Sequence, residues 1–318
     1  MIRLRLLSPL LAAALALSAC GSGDDGSESD DTRVVETERG EVEVPADPQR
    51  VVTVGWTLPP SMIDLGITPV AIDEGYFEAE VAQERSLPKR YVEALADAER
   101  IGNYQTLSLE KVAAAKPDLI VTDAVGLDDK TLDQLADIAP LAHVSSEGGW
   151  LKSQERVAEV VNRVDEFTKL KSDFEAEADD IRDEHADVLE GTSWAVISGA
   201  PDEQWFVEGD ATPASSLLGA VGAEFSDAVE PGGYWDDPRS YETIDDLQDA
   251  DAILYPTAPD GGPNDLTAPM LESPLFTALP AARAGNVFGF RHTAVTSAGW
   301  AADGLDEIDE LLDQVTSP

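Results

Sequence analysis

Between residues 32 and 44 apolar and polar positions alternate around Arg39-Gly40. Val34 and Val35 stand on one side and Val42 and Val44 on the other, which predicts a short β-hairpin. The pattern then changes. Residues 50–55 (Arg-Val-Val-Thr-Val-Gly) form a solid apolar run stopped by a glycine, as expected of a strand buried on both faces. A short helix is predicted over 61–65, a strand over 69–72, a helix over 109–115 and a strand over 117–121. Short apolar runs alternating with amphipathic helices point to βα units and a mainly parallel sheet.

The middle of the chain has a different period. From Phe167 the apolar positions are Leu170, Phe174, Ala178, Ile181 and Val188, with charged residues between them, which marks one face of a continuous helix. Val157, Val160, Val161 and Val164 form an earlier helical stripe. A helix over 165–190 would be about 39 Å long. Its stripe keeps no sustained heptad, so a rigid strut between two lobes is expected rather than a coiled-coil dimer. After Gly191 the βα pattern restarts, with strands over 194–199, 252–255 and 286–290 and helices over 214–221, 241–247 and 305–315. The expected architecture is α/β: an N-terminal lobe (34–164), a linker helix (165–191) and a C-terminal lobe (192–318), each lobe on a mainly parallel sheet, with a ligand cleft between them.

The start of the chain follows no folding pattern. Arg3 and Arg5, an apolar stretch over 6–17 and small residues after it read as a secretory signal, too short to span a bilayer stably. The end, Leu17-Ser18-Ala19-Cys20, resembles a bacterial lipobox. That resemblance implies removal of residues 1–19, lipidation of Cys20 and a membrane-anchored, extracytoplasmic address. The alternative is an ordinary signal peptide with an incidental cysteine. Residues 21–31 contain no apolar side chain and should extend the tether, assigned to 20–33.

Composition narrows the partners. Among 318 residues, 21 Lys+Arg face 63 Asp+Glu, a net charge of −42 that disfavours nucleic acid. Loss of residues 1–19 removes two arginines and no acid, leaving 19 basic residues and −44. The single cysteine excludes an internal disulfide framework and a thiolate metal cluster.

Several blocks together resemble the substrate-binding lipoproteins of iron–siderophore and cobalamin ABC importers. They are Pro48-Gln49-Arg50-Val51-Val52, Leu65-Gly66-Ile67-Thr68-Pro69-Val70, Ile101-Gly102, and the stretch 108–121 with its Leu-Glu…Lys-Pro-Asp-Leu-Ile pattern. The second lobe adds Ser216-Leu217-Leu218, Tyr241-Glu242-Thr243-Ile244 and Asp249-Ala250-Asp251-Ala252-Ile253-Leu254. The resemblance covers about residues 45–315. It implies two lobes gripping a small-molecule metal chelate, a permease with its ATPase as partner, a monomer and no catalytic role. It also implies that Glu110 and Glu242, each at the start of a helix, meet arginines of the permease; plain helix capping with Ser108 and Ser240 is the alternative reading.

In open α/β sheets ligands meet the loops beyond the strands' carboxyl ends. Those loops are expected to hold Trp56, Thr57, Tyr76, Tyr104 and Trp150 in the first lobe. In the second they are expected to hold Trp205, Phe206, Tyr234, Trp235, Tyr255, Arg291 and His292, with Trp300 nearby. Five of the six tryptophans fall in these segments, Trp194 being the exception, which suits a large, partly apolar chelate. The alternative is that several of them cap the lobe cores, and that His292 is a satisfied core histidine. His143 and His185 fit a loop and the strut, not a shared metal site.

Catecholate–iron complexes are strongly anionic, and this cleft offers only Arg291 and Arg239 among many acids. A neutral or cationic hydroxamate complex therefore fits better, with no resident cofactor and no protein ligand to iron. Haem, through Tyr76, Tyr104, Tyr255 or His292, and cobalamin are the alternatives within the fold. An extracytoplasmic glycoside or ester hydrolase is the rival from another class, but no Gly-x-Ser-x-Gly, His-Glu-x-x-His or Walker loop is present.

Overall fold

The structure is a computed structural model that describes residues 31–74, 87–103, 105–123, 125–232 and 238–316. Cys20 and most of the tether lie outside the described residues. Residues 31–318 form one compact unit. No helix among the described residues is long and apolar enough to cross a membrane.

The hairpin forms as its alternation predicts. Strands β1 (Thr32–Thr37) and β2 (Gly40–Pro45) pair antiparallel with Val35 opposite Val42. Adjacent residues on a strand face opposite ways, so Val35 and Val44 are buried while Val34 is exposed. The Arg33 guanidinium donates to the carbonyls of Glu159 and Val160 in the last turn of the Gly149–Val161 helix, where carbonyls lack a full set of intrahelical donors. The hairpin is thereby fastened to the first lobe.

The first lobe's sheet contains β3 (Val51–Val54), β4 (Ala71–Ile72), β5 (Glu99–Arg100), β6 (Leu119–Thr122) and β7 (Leu141–His143), in the order β5-β4-β3-β6-β7, all parallel. The solid run of β3 is explained by its central place. Val51 joins Leu119, Val121, Val157 and Phe167 on one face, and Val52 and Val54 join Ala71, Ile101, Ile120 and Leu135 on the other.

The second lobe's sheet is built on β8 (Ser193–Ala200), β9 (Gln204–Val207), β10 (Glu224–Phe225), β11 (Arg239–Ser240), β12 (Ala252–Pro256) and β13 (Val287–Phe290). Its order is β11-β9-β8-β12-β13, with β10 beside β8. Strands β10, β8, β12 and β13 run parallel, whereas β9 turns back antiparallel on β8 and β11 pairs antiparallel with β9.

Two helical expectations are corrected. The strut is one helix only over Val164–Glu184, about 32 Å. It breaks at His185 (φ −105°, ψ 19°) before a further turn, Ala186–Leu189. The buried His185 ring lies 2.7 Å from Asp309 Oδ1 on the C-terminal helix Ala298–Leu312, and the redirected turn buries Leu189. The predicted stripe is otherwise the buried one: Phe167 enters the first lobe's core, and Phe174, Ala178 and Ile181 enter the second's. Residues Tyr241–Leu247 form a 3₁₀ helix rather than an α-helix. Ile244 and Leu247 are buried with Tyr241 packed beside them, and a spacing of three aligns these side chains when there are about three residues per turn.

Candidate functional site

At the carboxyl edge of the first sheet the chain leaves β3 through Gly55, whose φ is +145°. A Cβ there would lie 2.4 Å from Asp123 Oδ1, so the turn admits glycine alone and presses its backbone against that carboxyl group. Asp123 follows β6 and is 6% exposed. The Thr57 hydroxyl donates to its Oδ2 (2.9 Å) and the Val125 amide to its Oδ1 (3.2 Å). Burial pushes its pKa up, opposed by these two donors and, more weakly, by His143. Trp56, between Gly55 and Thr57, is half-buried on this edge. Sequence reasoning passed over Asp123; the signal was a glycine closing a buried strand beside a second strand that ends in an acid.

Trp150 lies in the first turn of the Gly149–Val161 helix and not in a loop. Its ring meets Phe174 edge-on at 5.4 Å, and its indole N–H donates to Ser216 Oγ of the Pro213–Ala220 helix at 3.1 Å. The side chain thus ties the first lobe to the strut and the second lobe.

Trp205 is a correction. It sits in β9, fully buried, with Nε1 donating to the Ser240 carbonyl (3.0 Å) and the Arg239 guanidinium 5.5 Å above its ring. Antiparallel pairing turns Trp205 and Val207 inward, so Trp205 is a core residue, while Phe206 is half-buried. Trp300 is also corrected: it is 1% exposed in the Ala298–Leu312 helix, 6.2 Å from the Tyr91 ring. Its Nε1 donates to His292 Nδ1 (2.9 Å), which fixes His292 as a neutral acceptor at that nitrogen.

Burial, and then Arg291, hold the His292 pKa down to about 4. Its Nε2 is 3.6 Å from Glu307 Oε2, a contact between a neutral ring and a carboxyl rather than an ion pair. His292 is the satisfied core histidine. Arg291 is exposed, but Glu307 accepts from both its backbone amide (3.0 Å) and its Nε (3.1 Å). Arg239 pairs with Asp246 (3.6 Å) and Glu230 (4.0 Å).

Tyr255 is half-buried in β12, and burial raises its pKa. Tyr76, Tyr104, Tyr234 and Trp235 lie outside the described residues. His143 ends β7, apart from the buried His185 on the strut. The two acidic residues at helix starts are both exposed: Glu110 in the first turn of Leu109–Ala114, capped by Ser108, and Glu242 in the 3₁₀ turn capped by Ser240.

The structure therefore keeps Trp56, Phe206, Tyr255 and Arg291 at least partly accessible and withdraws Trp205, His292 and Trp300 into the core. Two mainly parallel sheets carry such residues at their carboxyl edges, and residues 51–293 match the family model described as periplasmic binding protein. The chain belongs to that family. The match takes in both sheets, so both lobes of the periplasmic binding protein are covered.

The Fe(3+)-citrate-binding protein YfmC of Bacillus subtilis is 30% identical over 206 residues, which are 60% of this chain and 62% of that protein, less than two thirds of its length. The probable siderophore-binding lipoprotein YfiY, also of Bacillus subtilis, is 27% identical over 330 residues, 98% of this chain and 96% of that one. Among solved structures, the siderophore periplasmic binding protein from the fuscachelin gene cluster of Thermobifida fusca superposes with a TM-score of 0.69 at 28% identity, over 85% of this chain and 98% of that one.

Proposed function

We infer that the chain is a receptor tethered to the extracytoplasmic face of the membrane through a lipid on Cys20, which captures a ferric siderophore and presents it to the permease of an ABC importer with its ATPase. The observation that carries this reading is the family match across both sheets, which supports reading their carboxyl edges as the binding site. The names of the relatives supply the ligand class, iron held by a small-molecule chelator, and YfiY is itself named a lipoprotein.

Within that class the charges favour a neutral or cationic hydroxamate complex over a catecholate. Arg291 and Arg239 are already paired with Glu307 and Asp246, and an anionic complex would have to break those pairs to recruit them. The haem alternative loses His292, whose Nδ1 is taken by Trp300. A siderophore fills the iron's coordination shell, so the protein supplies shape and hydrogen bonds rather than metal ligands. Exposed Glu110 and Glu242 are the docking points for permease arginines, one on each lobe.

Intrinsic tryptophan fluorescence of the full chain, titrated with ferrioxamine-type, catecholate, haem and cobalamin ligands, tests this reading. Strong saturable quenching by a ferric siderophore is the expected result. Silence towards every ligand overturns it.

A further inference from the structure

The first lobe's carboxyl edge carries a buried carboxyl group, Asp123, that enters no salt bridge among the described residues. Its carboxylate oxygens accept from the Thr57 hydroxyl and the Val125 amide, both neutral, and His143 acts on it only weakly. A buried ion is costly unless it is paired, and a structure without a use for one does best with an apolar residue in its place. Here the backbone is shaped to keep it, because any side chain at position 55 would collide with the carboxyl group.

Further observations mark the place as incomplete. Thr53 pairs with Val121 across β3 and β6, so Thr53 and Asp123 share one face of the sheet. The Thr53 hydroxyl is wholly buried and has no hydrogen-bond partner among the described residues. Asp73, just beyond the neighbouring β4, places a second buried carboxyl group on the same edge. On the second lobe, the hydroxyls of Ser198 in β8 and Thr257 just beyond β12 are also more than nine-tenths buried and unpartnered. These edges therefore combine buried carboxyl groups with buried hydroxyls that have no hydrogen-bond partner among the described residues.

We propose that the site selects ferric complexes bearing a cationic group, an ammonium or guanidinium, and that Asp123 supplies the buried counter-charge that this group neutralises. The proposal rests on the ferric-siderophore reading and sharpens its ligand class. A charge set in a low-dielectric wall is poorly screened, so it can discriminate between ligands that differ by one charge without reaching far into the cleft.

The test uses the full chain in detergent and three probes: ferrioxamine B, which carries a free ammonium; its N-acetyl derivative, which does not; and anionic ferric citrate. For the wild type, acetylation should weaken binding by about 10-fold or more, and ferric citrate should bind more weakly still. In Asp123→Asn the penalty for acetylation should fall to about 2-fold or less. The readout is a ratio between two ligands on one preparation, so a partly folded variant cannot imitate the result. Equal affinity for the two ferrioxamines, a penalty unchanged in Asp123→Asn, or binding of ferric citrate, a catecholate, haem or cobalamin in place of ferrioxamine B overturns the proposal while leaving a receptor. Absence of any ferric-chelate binding overturns the ferric-siderophore reading itself.

Discussion

Asp64 Oδ2 accepts a hydrogen bond from the Gly299 amide at 2.8 Å, so a side chain of the first lobe caps the first turn of the second lobe's last helix. The junction is dense. The Tyr91 hydroxyl donates to Asp64 Oδ1 (2.9 Å) and lies 3.1 Å from Ser297 Oγ, Gln154 Oε1 accepts from the Ala298 amide (2.8 Å), and Ser61 Oγ donates to the Thr296 carbonyl (2.8 Å). Arg90 adds bonds to the Gly299 carbonyl and to Asp303, both 2.6 Å. The Ala298–Leu312 helix thus joins the lobes a second time, beside the strut.

The first prediction follows from that junction. Asp64→Ala leaves the Gly299 amide without its acceptor and the Tyr91 hydroxyl with Ser297 Oγ alone in a buried setting, which should cost about 2–4 kcal/mol. Thermal unfolding should shift down by roughly 5–10 °C. Gly299→Ala should also destabilise, since its Cβ would lie 2.7 Å from the Asp64 carboxyl group. A Tm unchanged in Asp64→Ala would show that the junction bears no stability.

His292 makes an acid-side prediction. Its folded pKa is held down to about 4 by burial, whereas the unfolded imidazole titrates near its ordinary 6.5. Its contribution is therefore present above pH ~6.5 and is lost as the pH falls through ~4, because only the unfolded state accepts the proton in that window. His292→Gln keeps an acceptor for Trp300 Nε1 without the titration. Urea midpoints of the two proteins between pH ~7 and ~4 should show a shallower acid decline in the variant.

Glu208 predicts the opposite slope. It is buried, with the Thr212 side chain as its hydrogen-bond partner, and burial pushes its pKa up to about 7 from the ordinary carboxylate value of 4.5. A raised acid contributes stability fully below pH ~4.5 and loses it as the pH climbs through ~7, where the folded state must ionise a buried group. Glu208→Gln should gain about 1–3 kcal/mol over the wild type at pH ~8 and nothing at pH ~4.5. Equal differences at both values would refute the assignment.

How far the sequence foretold the molecule depends on the range of the interaction concerned. The hairpin, the solid β3 run and the Phe167–Phe174–Ala178–Ile181 stripe are local patterns, and the structure contains each of them. The break at His185 is not marked by any local signal, and the ring it places meets Asp309, 124 residues away. The tryptophans divide in the same way. A tryptophan beyond a strand reads alike whether it faces a ligand or a neighbouring helix, and the partners that withdraw Trp300 and Trp205, His292 and Ser240, become visible only in three dimensions. Asp64 and Asp123 were illegible for the same reason, because in a chain with 63 acids two particular carboxylates stand out only by their burial and by the glycines pressed against them.

The last prediction concerns the permease. Glu110 and Glu242 are exposed, each in the first turn after a serine cap, where the helix's free amides already stabilise a carboxylate. Because Ser108 and Ser240 do the capping, removal of either glutamate should cost the fold no more than about 0.5–1 kcal/mol. What a glutamate alone offers there is a bidentate acceptor for an arginine on an approaching surface. Glu110→Ala combined with Glu242→Ala should therefore leave siderophore affinity within about 2-fold of wild type while abolishing uptake by cells carrying the importer. Each single variant should fall between, because one remaining glutamate would still steer the encounter. Uptake unchanged in the double variant would assign these glutamates to helix capping alone.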